Sequence, residues 1–142
     1  MTLDLTGDIA KAVQGAAERG HTFVIGYVDA DGYPSTSYRG STTVLGPTQL
    51  AVWARNPDEG LAPAVAERPK VTLLYFENEG PGPRFLSIRG RATVAPEANE
   101  QVYGSMWGVE RDLDPERKGV AVVIDVESVK GANADGFFAV EA

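Results

Sequence analysis

Ser35-Thr36-Ser37-Tyr38-Arg39-Gly40-Ser41-Thr42-Thr43 is the stretch on which the reading of this chain turns. Its hydroxyl, β-branched and aromatic side chains suit extended backbone, and residues 35–45 are read as one strand. Successive strand side chains point to opposite faces, so Ser35, Ser37, Arg39, Ser41 and Thr43 share one side. Small hydroxyl donors around a guanidinium suit an anionic ligand lying along a sheet edge. Ser and Thr are also common on solvated sheet faces, and residue types alone leave both readings open.

Three further segments, 22–28, 71–76 and 85–94, alternate in the same way. In the last, Leu86, Ile88, Gly90, Ala92 and Val94 face one way, and Ser87, Arg89, Arg91 and Thr93 the other. Asp29-Ala30-Asp31-Gly32 followed by Pro34 predicts a hairpin into the hydroxyl strand. Gly46-Pro47 turns the chain into a short strand at 49–54, and 119–126 is the last clear strand. Helical spacing is found at 8–19 (Ile9, Val13, Ala16, Ala17, then Gly20 as a stop) and at 61–67, where Pro63 fits the first turn. It recurs at 97–107 through Ala98, Val102, Tyr103, Met106 and Trp107. Residues 110–118 are read as a loop or frayed helix, and 131–136 as a turn before a short Phe137-Phe138 end. The pattern predicts a mainly β fold with peripheral helices, a six-stranded antiparallel barrel whose closure removes exposed edges. No internal repeat or linker divides residues 1–142, which are expected to form one domain.

Composition narrows the function. A net charge of −7 argues against a nucleic-acid partner held through phosphates. The absence of cysteine removes disulfides, zinc–thiolate sites and thiol nucleophiles. The start, Met1-Thr2-Leu3-Asp4-Leu5, has no signal-peptide pattern, and no apolar run is long enough to span a membrane. A soluble, cytoplasmic protein with no membrane partner is expected.

Serine-type nucleophilic catalysis needs a histidine base, and the single histidine, His21, falls at a strand start where a boundary residue is the simpler reading. Asp29-Ala30-Asp31-Gly32 resembles the opening of a calcium loop, yet its twelfth position is Gly40 where a bidentate glutamate is required. No metal site is expected. Neither a Walker-type phosphate loop nor a Rossmann glycine fingerprint occurs. Chemistry carried by a bound cofactor survives, because it requires the protein only to position the cofactor and to hold its phosphate. Arg39 and Arg55 are the candidate cations, Trp53 and Tyr38 the candidate walls for a planar ring, and no catalytic side chain is assigned.

Gly32-Tyr33-Pro34, the hydroxyl strand, Trp53-Ala54-Arg55-Asn56, the helix ending Glu67-Arg68-Pro69, Val71-Thr72-Leu73-Leu74-Tyr75 and Ser87-Ile88-Arg89-Gly90-Arg91-Ala92 follow one another in a familiar order. In this the chain resembles the flavin-binding split-barrel proteins related to pyridoxamine 5′-phosphate oxidase, over nearly its whole length. The resemblance implies a split-barrel homodimer with FMN, or alternatively a deazaflavin, in clefts between subunits. It places Ser37, Arg39, Gly40, Ser41 and Thr42 beside the ring and ribityl chain, and Trp53, Arg55, Asn56, Gly60 and Leu61 near the chain and phosphate. Ser37 and Thr42 stand where the oxidase pattern has Arg and Lys, and Glu59-Gly60-Leu61 where it has Ser-Arg-Lys. The oxidase's Arg-x-Leu-His motif does not occur, so true pyridoxamine 5′-phosphate oxidation is not expected. What the resemblance implies is a small flavin- or deazaflavin-dependent oxidoreductase passing hydride to a small conjugated substrate. The alternative is a non-catalytic cofactor- or ligand-binding dimer.

Overall fold

Apolar residues at every second position give a strand one face to bury, as in Lys70–Phe76 and Phe85–Val94 at the centre of a single eight-stranded antiparallel sheet. The computed structural model describes residues 2–142; Met1, first in the stretch read for a targeting signal, lies outside them. The strands are β1 (Val24–Val28), β2 (Pro34–Tyr38), β3 (Thr43–Gly46), β4 (Gln49–Ala54), β5 (Lys70–Phe76), β6 (Phe85–Val94), β7 (Val120–Asn133) and β8 (Gly136–Glu141). Their order is β2-β1-β5-β6-β7-β4-β3, with β8 on β7. The helices are short: α1 (Asp8–Val13), α2 (Leu61–Glu67), α3 (Asn99–Gly104) and α4 (Gly108–Arg111). This is the mainly β, antiparallel architecture with peripheral helices that the alternation predicts.

Strands β5 and β6 pair from Lys70↔Arg91 to Phe76↔Phe85. Val71, Leu73 and Tyr75 of β5 and Leu86, Ile88 and Ala92 of β6 enter one core, joined by Ile25, Leu50, Val52, Val122 and Ile124. Leu61, Ala62 and Val65 of α2 and Ile9, Ala12 and Val13 of α1 close over it. Strand β4 is buried on both faces. Leu50, Val52 and Ala54 reach the main core, whereas Ala51 and Trp53 join Ala121 in a second cluster under Val102, Tyr103 and Met106. Burial on both sides is why residues 50–54 and 120–124 read as continuous apolar runs.

The sheet forks at β7. One edge of β7 pairs with β6 from Val94↔Val122 to Phe85↔Ala132, with one bulge on the way. Its other edge pairs with β4 as far as Gln49↔Asp125, and with β8 from Ser128↔Glu141 onward. This fork accounts for two departures from expectation. Residues 127–133 continue the last strand although their alternation is poor, because neighbours on both edges satisfy their backbone. Phe137-Phe138 then belongs to a full strand, and the sheet has eight strands where six were expected.

Three other expectations are corrected. The helix expected over 8–19 stops at Val13, and Gly15 takes φ +77°, left-handed backbone that ends a right-handed helix. The helix expected over 97–107 is a 3₁₀ turn (Pro96–Ala98) and α3, with α4 beginning beyond it. Most consequential, residues 35–45 are two strands joined by a corner at 39–42. The Thr42 amide (3.2 Å) and hydroxyl (2.7 Å) both donate to the Arg39 carbonyl, while the Trp53 amide donates to Ser41 Oγ at 2.8 Å. Hydroxyl side chains here take over bonds that a strand ladder would supply. The row Ser35, Ser37, Arg39, Ser41, Thr43 is therefore not one continuous strand face.

The residues between α1 and β1 are pinned by an ion pair between half-buried Arg19 and buried Glu77. Arg19 Nε donates to both Glu77 oxygens, at 2.6 and 2.9 Å, and its other nitrogens reach the Gln14 and Ala12 carbonyls. Burial alone would push the Glu77 carboxyl up, but the bonds from Arg19 and Tyr75 and the Arg19 charge bring it below its ordinary value. A depressed carboxyl contributes stability above the unfolded-state pKa and loses it as pH falls through the folded one. Glu77→Gln should cost about 1.5–3 kcal/mol at neutral pH. In urea titrations, the gap between wild type and variant should close as pH drops below the ordinary value of 4.5.

Candidate functional site

The corner carries the chain from the outer edge of β1, which β2 covers, to the outer edge of β4, which β3 covers. Its first residue is held on β1 by the Arg39 amide, which donates to the Phe23 carbonyl at 2.8 Å. Beyond that bond the Arg39 side chain leaves the sheet half-buried, and its Nε is fully buried without a partner. Burial lowers its pKa from the arginine range; Tyr27 opposes this, Arg55 adds to it and Glu110 opposes it.

Three cavities meet around this side chain. One of about 360 Å³ is bounded by Tyr38, Gly40, Ser41, Trp53, Arg55 and Glu110. A second of about 360 Å³ is bounded by Arg55, Asn56, Glu59, Gly60 and Leu61. A third of about 170 Å³ lies behind the corner, where Gln14, Thr42, Met106 and Trp107 contribute. Of the residues predicted from sequence, Arg39, Gly40, Ser41, Thr42, Trp53, Arg55, Asn56, Gly60 and Leu61 all line one of these spaces. Ser37 lines none of the three, although its Oγ is buried and unpartnered.

Position and availability differ. The Ser41 and Thr42 hydroxyls already bond the corner, and Ser35 Oγ donates to Asp29 at 3.0 Å. Trp53 is not an open wall: it is 3% exposed. Its Nε1 donates to Asp114 at 2.9 Å, and Tyr103 meets its ring edge-on at 5.3 Å. Tyr38, in contrast, is 76% exposed.

Asp114 is the main residue the sequence reading missed. Its carboxylate accepts from Trp53 Nε1 and from the amides of Lys118 and Gly119, each at 2.9 Å. Burial pushes this carboxyl up, and those three bonds together bring it below its ordinary value. The Tyr103 hydroxyl reaches the Asp114 carbonyl at 3.0 Å and the Arg111 carbonyl at 3.3 Å, fixing α4 over the cavity mouth. Glu110 was missed with it. Both lie in a charged stretch whose sequence carries no period, and only the distant partners Trp53 and Tyr103 give it a shape. Tyr27 was missed too. Its hydroxyl would lie 3.6 Å from a Cβ placed on Gly60, and its inward position on β1 was the available signal.

Whether a flavin or deazaflavin suits these residues is tested by the polar atoms left over. Ser37 Oγ and Arg39 Nε are the buried side-chain polar atoms without partners among the described residues. Buried polar groups are rarely left unpaired. The Arg39 guanidinium at the corner, with Arg55 across the cavity, forms a cationic pair for an anionic tail, while Ser37 Oγ lies outside that space. The residues present fit such a group.

The comparisons with known proteins agree with this architecture. No curated protein sequence matches the chain significantly. Among solved structures, a nimC/nimA family protein from Clostridium acetobutylicum superposes with TM-score 0.67 at 15% identity, covering 97% of this chain and 95% of that one. General Stress Protein 26 from Bacillus anthracis str. Sterne gives TM-score 0.66 at 15% identity, covering 86% and 89%. An F420 reductase gives 0.62 at 14%, covering 87% and 95%. At such identities the likeness is one of fold. The family described as pyridoxamine 5′-phosphate oxidase matches residues 9–132. By that match, which spans most of its length, the chain belongs to the pyridoxamine 5′-phosphate oxidase family of split-barrel proteins.

Proposed function

We propose that this protein is a small flavin- or deazaflavin-dependent oxidoreductase, acting as a homodimer on a small conjugated molecule. The observation that carries the reading is Arg39, a half-buried guanidinium with an unpartnered Nε, facing two cavities of about 360 Å³ that it shares with Arg55. A buried charge without a hydrogen-bonded partner is costly, and a phosphate on a cofactor tail is a chemically matched partner for it. The family includes members that bind FMN or a deazaflavin, and an F420 reductase is among the structural neighbours.

Such a cofactor, once bound, supplies hydride transfer. The chain's own residues do the rest. Arg39 and Arg55 hold the anionic tail. Gly40, Ser41, Thr42, Asn56, Gly60 and Leu61 shape the cleft, while the sealed Trp53–Tyr103–Asp114 cluster keeps water from its inner wall. Glu59 lines the same cavity as Arg55 and opposes a doubly charged phosphate there, which favours a deazaflavin with its longer side chain over FMN.

The homodimer reading is supported by the sheet's outer face. Cross-strand partners share a face, so Tyr38, Val24 and Leu74 form one row, and Phe76, Phe85, Ala132 and Phe137 another. Phe137 is 91% exposed, Phe76 63% and Leu74 48%. Contiguous exposed apolar surface of this kind marks an interaction site. Tyr38 also borders the Arg39 cavity, so a second subunit seated here would complete the cleft's rim.

Titration with FMN and with an F420-type deazaflavin, followed by absorption and fluorescence, tests the cofactor reading. One of the two should bind, and Arg39→Ala should weaken it by about 1.5–3 kcal/mol. Failure of both to bind removes the proposal, while binding without turnover of any conjugated acceptor leaves a ligand-binding dimer. Glu59→Lys should tighten FMN at low ionic strength, where exposed charges are least screened; an unchanged affinity places the phosphate elsewhere. Sedimentation equilibrium should give the mass of a dimer, as an interface above about 2,000 Å² would hold together. Leu74→Arg should shift it to monomer, and a wild-type monomer at micromolar concentration ends the dimer reading.

A further inference from the structure

We infer that Glu110 is the resident counter-charge of the cleft, a carboxylate that a ligand's phosphate must displace to reach Arg39, and that it thereby selects against ligands whose charge lies close to the corner. This rests on reading the cleft as the seat of an anion-tailed cofactor.

Glu110 is carried by α4, a single turn whose placement owes nothing to the carboxylate itself. Tyr103 bonds the carbonyls of Arg111 and Asp114, and the Asp114 carboxylate is locked by Trp53, Lys118 and Gly119. Fixed in this way, α4 lays the Glu110 side chain across Gly40. A Cβ built on Gly40 would come within 2.6 Å of the Glu110 carboxyl carbon. The corner residue without a side chain is the one the carboxylate covers.

Glu110 shares one cavity with Arg39 and Arg55. Arg55 and Glu110 act on the Arg39 charge in opposite senses, one repelling and one compensating. Among the described residues, no ion pair within 4.0 Å joins Glu110 to either arginine. The compensation is therefore through space, and is cheaper to displace than a hydrogen-bonded pair. A phosphate drawn to Arg39 meets a like charge over Gly40, and Glu110 must swing out or α4 must shift before it docks. A neutral ring or a hydroxyl carries no such penalty.

Calorimetric titration separates charge from shape by using pyrophosphate, an anion without a ring, and riboflavin, a ring without an anion. Glu110→Gln should bind pyrophosphate about tenfold more tightly than wild type at low ionic strength, with the gain shrinking in high salt. Riboflavin binding should be unchanged. Gly40→Ala, whose methyl group expels the carboxylate by contact, should reproduce the pyrophosphate gain. Equal pyrophosphate affinity in wild type and Glu110→Gln, no pyrophosphate binding by either, or an equal gain for riboflavin each overturns the inference. If Glu110→Gln gains pyrophosphate affinity while neither FMN nor a deazaflavin binds any form, the counter-charge stands and the cofactor reading falls. If FMN binds both forms equally at low ionic strength, the cofactor reading stands and the counter-charge falls.

Discussion

The Ser41 hydroxyl accepting the Trp53 amide is the small bond around which the site is organised. It fastens the corner at residues 39–42 to β4 at the place where the chain leaves one edge of the sheet for the other. With Thr42 closing on the Arg39 carbonyl, the corner is too tight for Arg39 to continue a strand face, and its side chain lines the cavities it shares with Arg55. Remove the hydroxyl and a buried amide loses its partner, which is among the costlier defects a core can hold. The same Trp53 whose amide is used in this way has its indole fixed by Asp114 on the other side. Corner, strand and α4 are thus linked through one residue.

That linkage explains how a cluster of charges is tolerated in a half-buried cleft. Arg39, Arg55, Glu59 and Glu110 lie around adjoining cavities of modest size. Little in the cleft neutralises the arginines by direct bonding, and the surrounding structure is held by contacts that do not involve them. The charged residues are therefore not committed to holding the fold. Opposed features of this kind, costly to the fold and useful to binding, are where local rules are expected to break.

Much of the fold is legible in the sequence because it rests on short-range regularities. The alternation in 70–76 and 85–94 and the alanine-rich run at 61–67 need no distant partner to be read. The hydroxyl segment is different. Ser and Thr serve a strand or a turn equally well, and only the Trp53 amide decides between them at 41–42. Residues 127–133 are a strand because β6 and β8 flank them, which no local pattern announces. In the site, Arg39 and Arg55 stand out as cations in an acidic chain. Asp114 and Glu110 do not, since their meaning lies in contacts with Trp53 and Gly40 far away in sequence.

The fork at β7 and the corner at 39–42 together have an evolutionary consequence. Strands β2 and β3 are close neighbours along the chain yet lie at opposite ends of the strand order, each in register with a different partner. A residue inserted or deleted between them cannot be absorbed by sliding either strand, because a slip of one place exchanges the inward and outward faces. In descendants of this chain the span from Tyr38 to Thr43 must keep its length while its side chains change. Diversification should therefore proceed at this corner by substitution, with its frame unaltered.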